Sequence, residues 1–339
     1  MKTLIFFLVC SMSCANGAYD LDNCGSRPMV KELKHSRIVG GIDSLPGAWP
    51  WLVSVQIPTR KGHRHSCGAT LLNNKWILTA SHCFKTPEKD LSAWKIVIGA
   101  TQLSAPNPET AERKIKSAYR HQNYIPMTEY NDIALIELDR PVHFNSFIQP
   151  GCLPKPDLSI LNMTHCYVAG WGITHEDYVT PADILQEAKI NLVPLATCNS
   201  TEWYNGAVTS LNLCAGFEKG GVDSCQGDSG GPLVCKEEVS KMYIVIGVTS
   251  WGQGCAEARH PGIYTSTQPY LDWITKTMSG IHTGGQSPVD MMKTNRKHTS
   301  RSMAIKKPSA SGNVSATSNG LVYCLCSALL SVLHTYLLV

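Results

Sequence analysis

Hydrophobic positions in this chain fall mainly in short runs. The stretches 51–57, 69–78, 94–98, 133–138, 167–171 and 242–250 are rich in Val, Ile, Leu, Trp and Tyr. Gly, Pro and Asn turns separate them, the pattern of short strands rather than helices. Many such runs with few helical stretches predict an all-β barrel or sandwich. One segment departs from the pattern. Residues 269–276 place Tyr270, Trp273 and Ile274 on one face at helical spacing, with Met278 continuing it, which predicts a C-terminal helix. No internal repeat stands out.

The two ends differ from this middle. Residues 4–9 are apolar, follow Lys2 and precede the small residues Ala15-Asn16-Gly17, so residues 1–17 read as a secretory signal peptide. Residues 18–37 form a short segment ending at Arg37, and a folded region runs over 38–279. Residues 280–320 are dominated by Gly, Ser, Thr, Lys and Pro and read as a flexible linker. Residues 321–339 are mostly apolar. Small residues at 309–312, a polar spacer and that run fit a lipid-anchor (GPI) signal, with a membrane span or a removed pro-tail as alternatives.

Composition supports an exported globular protein. The chain has 339 residues, 43% of them hydrophobic and 17% charged, which suits a real core. Fourteen cysteines include Cys10 and Cys14 near the start and Cys324 and Cys326 in the tail. The ten between them are an even set, and in an exported chain they imply a disulfide framework whose connectivity spacing alone does not give. No CxxC pair occurs, so a zinc site is not indicated. The net charge of +4 sits in the tail, where Lys293, Arg296, Lys297, Arg301, Lys306 and Lys307 face Asp290 alone. A basic tail on a near-neutral body is no nucleic-acid signature.

Three segments carry candidate chemistry: Thr79-Ala80-Ser81-His82-Cys83, Asn131-Asp132-Ile133, and Asp223-Ser224-Cys225-Gln226-Gly227-Asp228-Ser229-Gly230-Gly231. Serine hydrolysis needs a hydroxyl nucleophile, a base to take its proton and an acid to orient the base. His82, Asp132 and Ser229 are the matching residue types. Glycines beside Ser229 let backbone N–H groups approach a developing oxyanion, with Gly227 and Ser229 as donors.

Together these motifs resemble the chymotrypsin–trypsin family of serine peptidases, almost continuously from Ile38 to about Met278. The resemblance implies two six-stranded antiparallel barrels with a C-terminal helix and a cleft between them. It implies His82 as general base, Asp132 as its orienting partner and Ser229 as nucleophile. Ser250 would help hold the acid and line the substrate channel. Asp223, six residues before Ser229, would floor a pocket for Arg or Lys, with Gly252 and Gly262 as its open walls. Arg37-Ile38-Val39-Gly40-Gly41 resembles an activation site, where the new Ile38 amine would pair with Asp228. The implied disulfides are Cys24–Cys152, Cys67–Cys83, Cys166–Cys235, Cys198–Cys214 and Cys225–Cys255. Ser81 replaces a common alanine, and Ala69-Thr70 a common Gly-Ser.

The stretches 47–51, 149–154, 198–206 and 261–265 are similar to the sperm acrosomal branch of the family, and testis-type or membrane-linked members share several of them. The implied partners are proteins with exposed Arg or Lys, egg-coat glycoproteins and serine protease inhibitors, with no metal or organic cofactor. The implied site of action is an acrosomal vesicle or the cell exterior. Asn162, Asn199 and Asn313 begin glycosylation sequons. The competing class is a peptidase fold that binds without catalysis, which a broken triad or activation site would favour. Neither is seen.

Overall fold

The computed structural model describes residues 24–30, 41–85, 91–174 and 180–280. The signal segment, the Arg37-Ile38 bond, the basic linker with Asn313 and the terminal apolar run lie outside the described residues. The chain divides into units 1–295 and 296–339, and everything described belongs to the first.

Two antiparallel barrels make up the fold. β1 (Ile42–Asp43) leads in from the N-terminal side, followed by β2 (Leu52–Thr59), β3 (Gly62–Leu71), β4 (Trp76–Thr79), β5 (Lys95–Ile98), β6 (Ala111–Arg113), β7 (Ile115–Arg120) and β8 (Ala134–Leu138). β2 to β8 form the first barrel in the order β6-β5-β2-β3-β4-β8-β7. Only Lys114 separates β6 from β7, and the 111–120 segment pairs with β5 at one end and β8 at the other. Counted as one bent strand it closes a six-stranded barrel. Val53, Val55, Leu71, Ile77, Ile96, Ile98 and Leu135 fill the interior.

The second barrel uses β9 (Cys166–Gly170), β10 (Gln186–Val193), β11 (Asn212–Gly216), β12 (Pro232–Lys236), β13 (Tyr243–Trp251) and β14 (Gly262–Ser266). β9 pairs with both β12 and β10, so these six strands also close, and β1 adds at the edge of β10. Closure removes the exposed edges that an open sheet would present. Val168, Ile190, Leu233, Ile246 and Tyr264 pack inside.

The 69–78 segment is two strands, not one. Asn73 Oδ1 accepts from the Lys75 and Trp76 N–H groups, both at 2.9 Å, and this side-chain-closed turn breaks β3 from β4. The short α1 (Leu195–Cys198) leads into the Cys198–Cys214 bridge. The C-terminal helix α2 is Leu271–Met278, entered through a helical turn at Gln268–Tyr270. Tyr270 and Ile274 are buried against the first barrel, while Trp273 and Met278 are half-buried.

Five disulfides staple the fold: Cys24–Cys152, Cys67–Cys83, Cys166–Cys235, Cys198–Cys214 and Cys225–Cys255. The first ties segment 24–30 to the barrels. Arg27 reinforces it, its guanidinium 4.0 Å from the Trp49 ring and 3.1 Å from the Tyr243 hydroxyl. A cation over a buried indole adds attraction beyond apolar contact.

Candidate active site

Between the barrels, His82 and Asp132 come from the first and the Ser229 loop from the second. His82 follows β4 in a tight turn, Ser81–Phe84. Asp132 precedes β8 and has no exposed surface. Its Oδ1 accepts from the His82 backbone N–H at 2.8 Å, and its Oδ2 contacts His82 Nδ1 at 2.7 Å. A carboxylate only accepts, so Nδ1 carries the proton and Nε2 presents a lone pair. Ser250 Oγ donates to the same Oδ2 at 2.5 Å. Ser81, the residue that departs from the family pattern, donates from Oγ to the Ile133 carbonyl at 2.6 Å, tying the His82 turn to the Asp132 segment.

Asp132 is also held through its neighbour. Asn131 sits at φ +55°, a conformation that Asn tolerates better than most residues. Its Oδ1 accepts from the Tyr270 hydroxyl and its Nδ2 donates to the Asn123 carbonyl, both at 2.8 Å. The C-terminal helical turn thereby reaches back to the segment carrying the acid.

The Ser229 loop is wedged between the barrels. Gly68 N–H donates to the Ser229 carbonyl and Gly230 N–H to the Thr249 carbonyl, each at 2.8 Å. Gly230 has φ +80°, and a Cβ there would meet Thr79 Oγ1 at 2.2 Å, so only glycine fits this crossing. Two carbonyls set the peptide planes before it. Gln226 O accepts from Ile173 N–H at 2.8 Å and Asp228 O from Gly231 N–H at 2.9 Å. In trans peptides this turns the Gly227 and Ser229 N–H groups the opposite way. Among the described residues neither has a protein acceptor.

Asp223 lies in a pocket of about 250 Å³ lined also by Ser229, Ser250, Trp251, Gly252 and Gly262. Ser224 N–H reaches its Oδ1 at 2.7 Å and Ala256 N–H its Oδ2 at 3.4 Å. Burial outweighs these donors and pushes the carboxyl up to about 7. The two glycines act differently. A Cβ on Gly262 would strike Asp223 Oδ1 at 2.5 Å, whereas one on Gly252 would meet nothing nearer than 3.8 Å. Tyr204 steadies the wall, donating to the Pro261 carbonyl at 2.8 Å and packing on Trp251.

Asp228 borders a cavity of about 750 Å³ that also touches Gly41, Asp43, Gly170, Gly172, Glu187 and Asp223. Gly172 N–H donates to its Oδ1 at 2.8 Å and Cys225 N–H to its Oδ2 at 2.9 Å. No cation pairs with it among the described residues, and enclosure pushes its carboxyl up to about 6. A Cβ on Gly170 would come within 2.0 Å of Asp228 Oδ1. Sequence reading did not single out Gly170 and Gly172, although the Gly-Trp-Gly run that contains them is visible in the chain.

His65 was also missed. It lies buried on β3, with Nε2 on the Gly227 carbonyl and Nδ1 on Ser54 Oγ, both at 2.8 Å. Burial drives it down to about 4, so it is neutral at physiological pH, donating to Gly227 and accepting from Ser54. A lone histidine in a strand has no spacing signature that would have found it.

Asn162 is exposed, while Asn199 is half-buried with Oδ1 accepting from Val208 N–H. Among the described residues His82, Glu129 and Asp132 bring potential ligand atoms within 4.8 Å of one another. Both Asp132 oxygens are already engaged and Glu129 is paired with Lys85, so the cluster is satisfied as it stands.

This geometry is that of a serine-peptidase cleft, and the comparisons agree. The family model described as "Trypsin" matches residues 38–274. The chain is 38% identical over 273 residues to the rat (Rattus norvegicus) protein "Transmembrane protease serine 9", a match covering 80% of this chain. The chain belongs to the trypsin family of serine proteases. It spans about a quarter of the length of that relative, which the match covers to 25%.

Proposed function

We propose that the chain is the precursor of a serine endopeptidase that cleaves proteins after Arg or Lys. One observation carries the reading: a buried Asp132 holds His82 through Nδ1, while Ser229 lines one pocket with the carboxylate of Asp223, which backbone N–H groups hold and no cation pairs with among the described residues. In the proposed reaction His82 Nε2 takes the Ser229 proton as Oγ attacks the scissile carbonyl. Asp132 and Ser250 stabilise the imidazolium, and the Gly227 and Ser229 N–H groups receive the oxyanion. His82 then returns the proton to the leaving amine, and water repeats the sequence on the acyl-enzyme. Asp223 confers the preference, since a guanidinium or ammonium satisfies its charge and a neutral side chain leaves it unpaired.

Activation follows from Asp228. An enclosed carboxylate with two N–H donors and no cation is costly, and a new amine at Ile38, freed by cutting after Arg37, would neutralise it. Cys24–Cys152 would keep the N-terminal piece attached. The stretches 47–51, 149–154, 198–206 and 261–265 favour an acrosin-type enzyme, stored in the acrosomal vesicle and acting on egg-coat glycoproteins. A second reading, a membrane-anchored protease, is favoured by the name of the rat relative and by the apolar run 321–339. On either reading residues 1–17 would direct export. A fluorophosphonate probe tests the chemistry. Labelling of Ser229 only after the cut at Arg37 is the expected result, and an unlabelled, correctly cut and folded protein would overturn it.

A further inference from the structure

A second charged feature lies outside the cleft. Strands β2 and β3 pair from Leu52↔Thr70 to Thr59↔Gly62, so the turn between them is only Arg60-Lys61. Thr59 Oγ1 and the Gly62 carbonyl close it, and Gly62 takes φ +129°. Arg60, Lys61 and Arg64 are all exposed. Among the described residues no carboxylate pairs with any of the three. Elsewhere on this barrel Lys75 and Lys116 share Glu137, Lys95 meets Glu112 and Lys85 meets Glu129. The hairpin tip is thus a patch of uncompensated positive charge.

Its base touches the reaction centre. His65 binds the Gly227 carbonyl and Gly68 N–H binds the Ser229 carbonyl, both from β3. The Asp223 pocket lies on the other side of Ser229, walled by β13, β14 and the 223–226 loop. A peptide chain with its basic residue on Asp223 and its scissile bond at Ser229 therefore leaves along β3. Strands advance about 3.4 Å per residue, so Arg64, four residues from Gly68, stands roughly 14 Å down that path.

We propose that the Arg60-Lys61-Arg64 hairpin selects protein substrates with acidic residues about three to five positions beyond the cleaved bond. The proposal rests on the endopeptidase reading above and adds a specificity surface to it. Exposed pairs are individually weak. Three like charges at one hairpin tip act together, raising the encounter rate of a complementary chain and losing that advantage in salt.

The test uses the full chain cut after Arg37 and three peptides with the same sequence through a single Arg. They carry Glu, Ala or Gln at the third to fifth positions after it. We expect kcat/KM to be about tenfold higher for the Glu peptide than for the Ala peptide at low salt. That ratio should fall toward one at 0.5 M salt and in the variant R60S/K61S/R64S, whose turnover of the Ala peptide stays unchanged. The same peptides, labelled and bound to the Ser229→Ala protein, give a readout independent of turnover. Equal binding of the Glu and Ala peptides, or a preference that survives in the triple variant, would overturn the proposal. A sulfated polysaccharide that binds the hairpin while the three peptides bind equally would also overturn it, in favour of a glycan surface. Absent turnover with an intact binding preference would count against the endopeptidase reading and leave the hairpin proposal supported.

Discussion

Replacing Asp223 with Asn should make the free protein more stable while removing its preference for basic substrates. Burial raises the Asp223 carboxyl from 3.8 to about 7. At 1.36 kcal/mol per pH unit, holding the ionised group in place above pH 7 costs about 4 kcal/mol. The sign follows from linkage. The folded state binds the proton more tightly than the unfolded state, so this penalty is complete above about pH 7. It shrinks as pH falls and vanishes near the unfolded value of 3.8. Asn keeps the bond from Ser224 N–H but turns its NH₂ toward the other donors, so the net gain is about 1–3 kcal/mol at pH 8. Urea titration of the disulfide-intact D223N and parent proteins at pH 8 and pH 5 measures it. The gain should be largest at pH 8 and mostly lost at pH 5. A variant less stable than the parent at pH 8, or a difference independent of pH, would refute the reasoning.

The same logic extends to other groups. Asp228→Asn should also stabilise the uncut chain at pH 8, and it should abolish the activity gained on cutting after Arg37, read as turnover before and after the cut. Gly170→Ala places a Cβ against Asp228, and the cut protein should lose at least tenfold in kcat while the uncut fold keeps its circular-dichroism spectrum. Ser250→Ala removes a hydrogen bond to the Asp132 charge, worth about 1.5–3 kcal/mol, so kcat should fall roughly tenfold to a hundredfold with KM little changed. His65, depressed to about 4, is neutral when folded and charges more readily when unfolded. Its contribution to stability is full above about 6.5 and is lost as pH falls toward 4, and His65→Gln should flatten that part of a stability–pH profile.

The fold was legible where apolar residues run together between turns. Strands β2, β5, β8, β9 and β13 coincide within a few residues with apolar runs, because successive residues of β2, β5, β8 and β13 are buried on both faces and only β9 alternates buried with half-buried positions. β10 was harder to read. Only Ala188 and Ile190 of Gln186–Val193 are buried, and the remaining positions are polar or half-exposed. The break between β3 and β4 was present as Asn73-Asn74, but its effect depends on Asn73 Oδ1 reaching two N–H groups. Disulfide pairing required the family resemblance, since ten cysteines allow many connectivities.

At the site, the residues that share a motif were visible and those that support them from elsewhere were not. Ser229 announced itself through its glycines. Asp132 could be picked out only by its order between His82 and Ser229. The bonds from Ser81 to Ile133, Tyr270 to Asn131 and His65 to Gly227 join segments 52, 139 and 162 residues apart, and no local pattern encodes such distances.

The most direct test of the account is turnover by the protein cut after Arg37. The substrates are peptides that differ only in carrying Arg, Lys, Phe or Ala before the scissile bond, with Ser229→Ala alongside. The account predicts cleavage of the Arg and Lys peptides alone, reduced by a factor on the order of 10⁶ in Ser229→Ala. Cleavage that persists in Ser229→Ala, or that is equally fast after Phe or Ala, would contradict it.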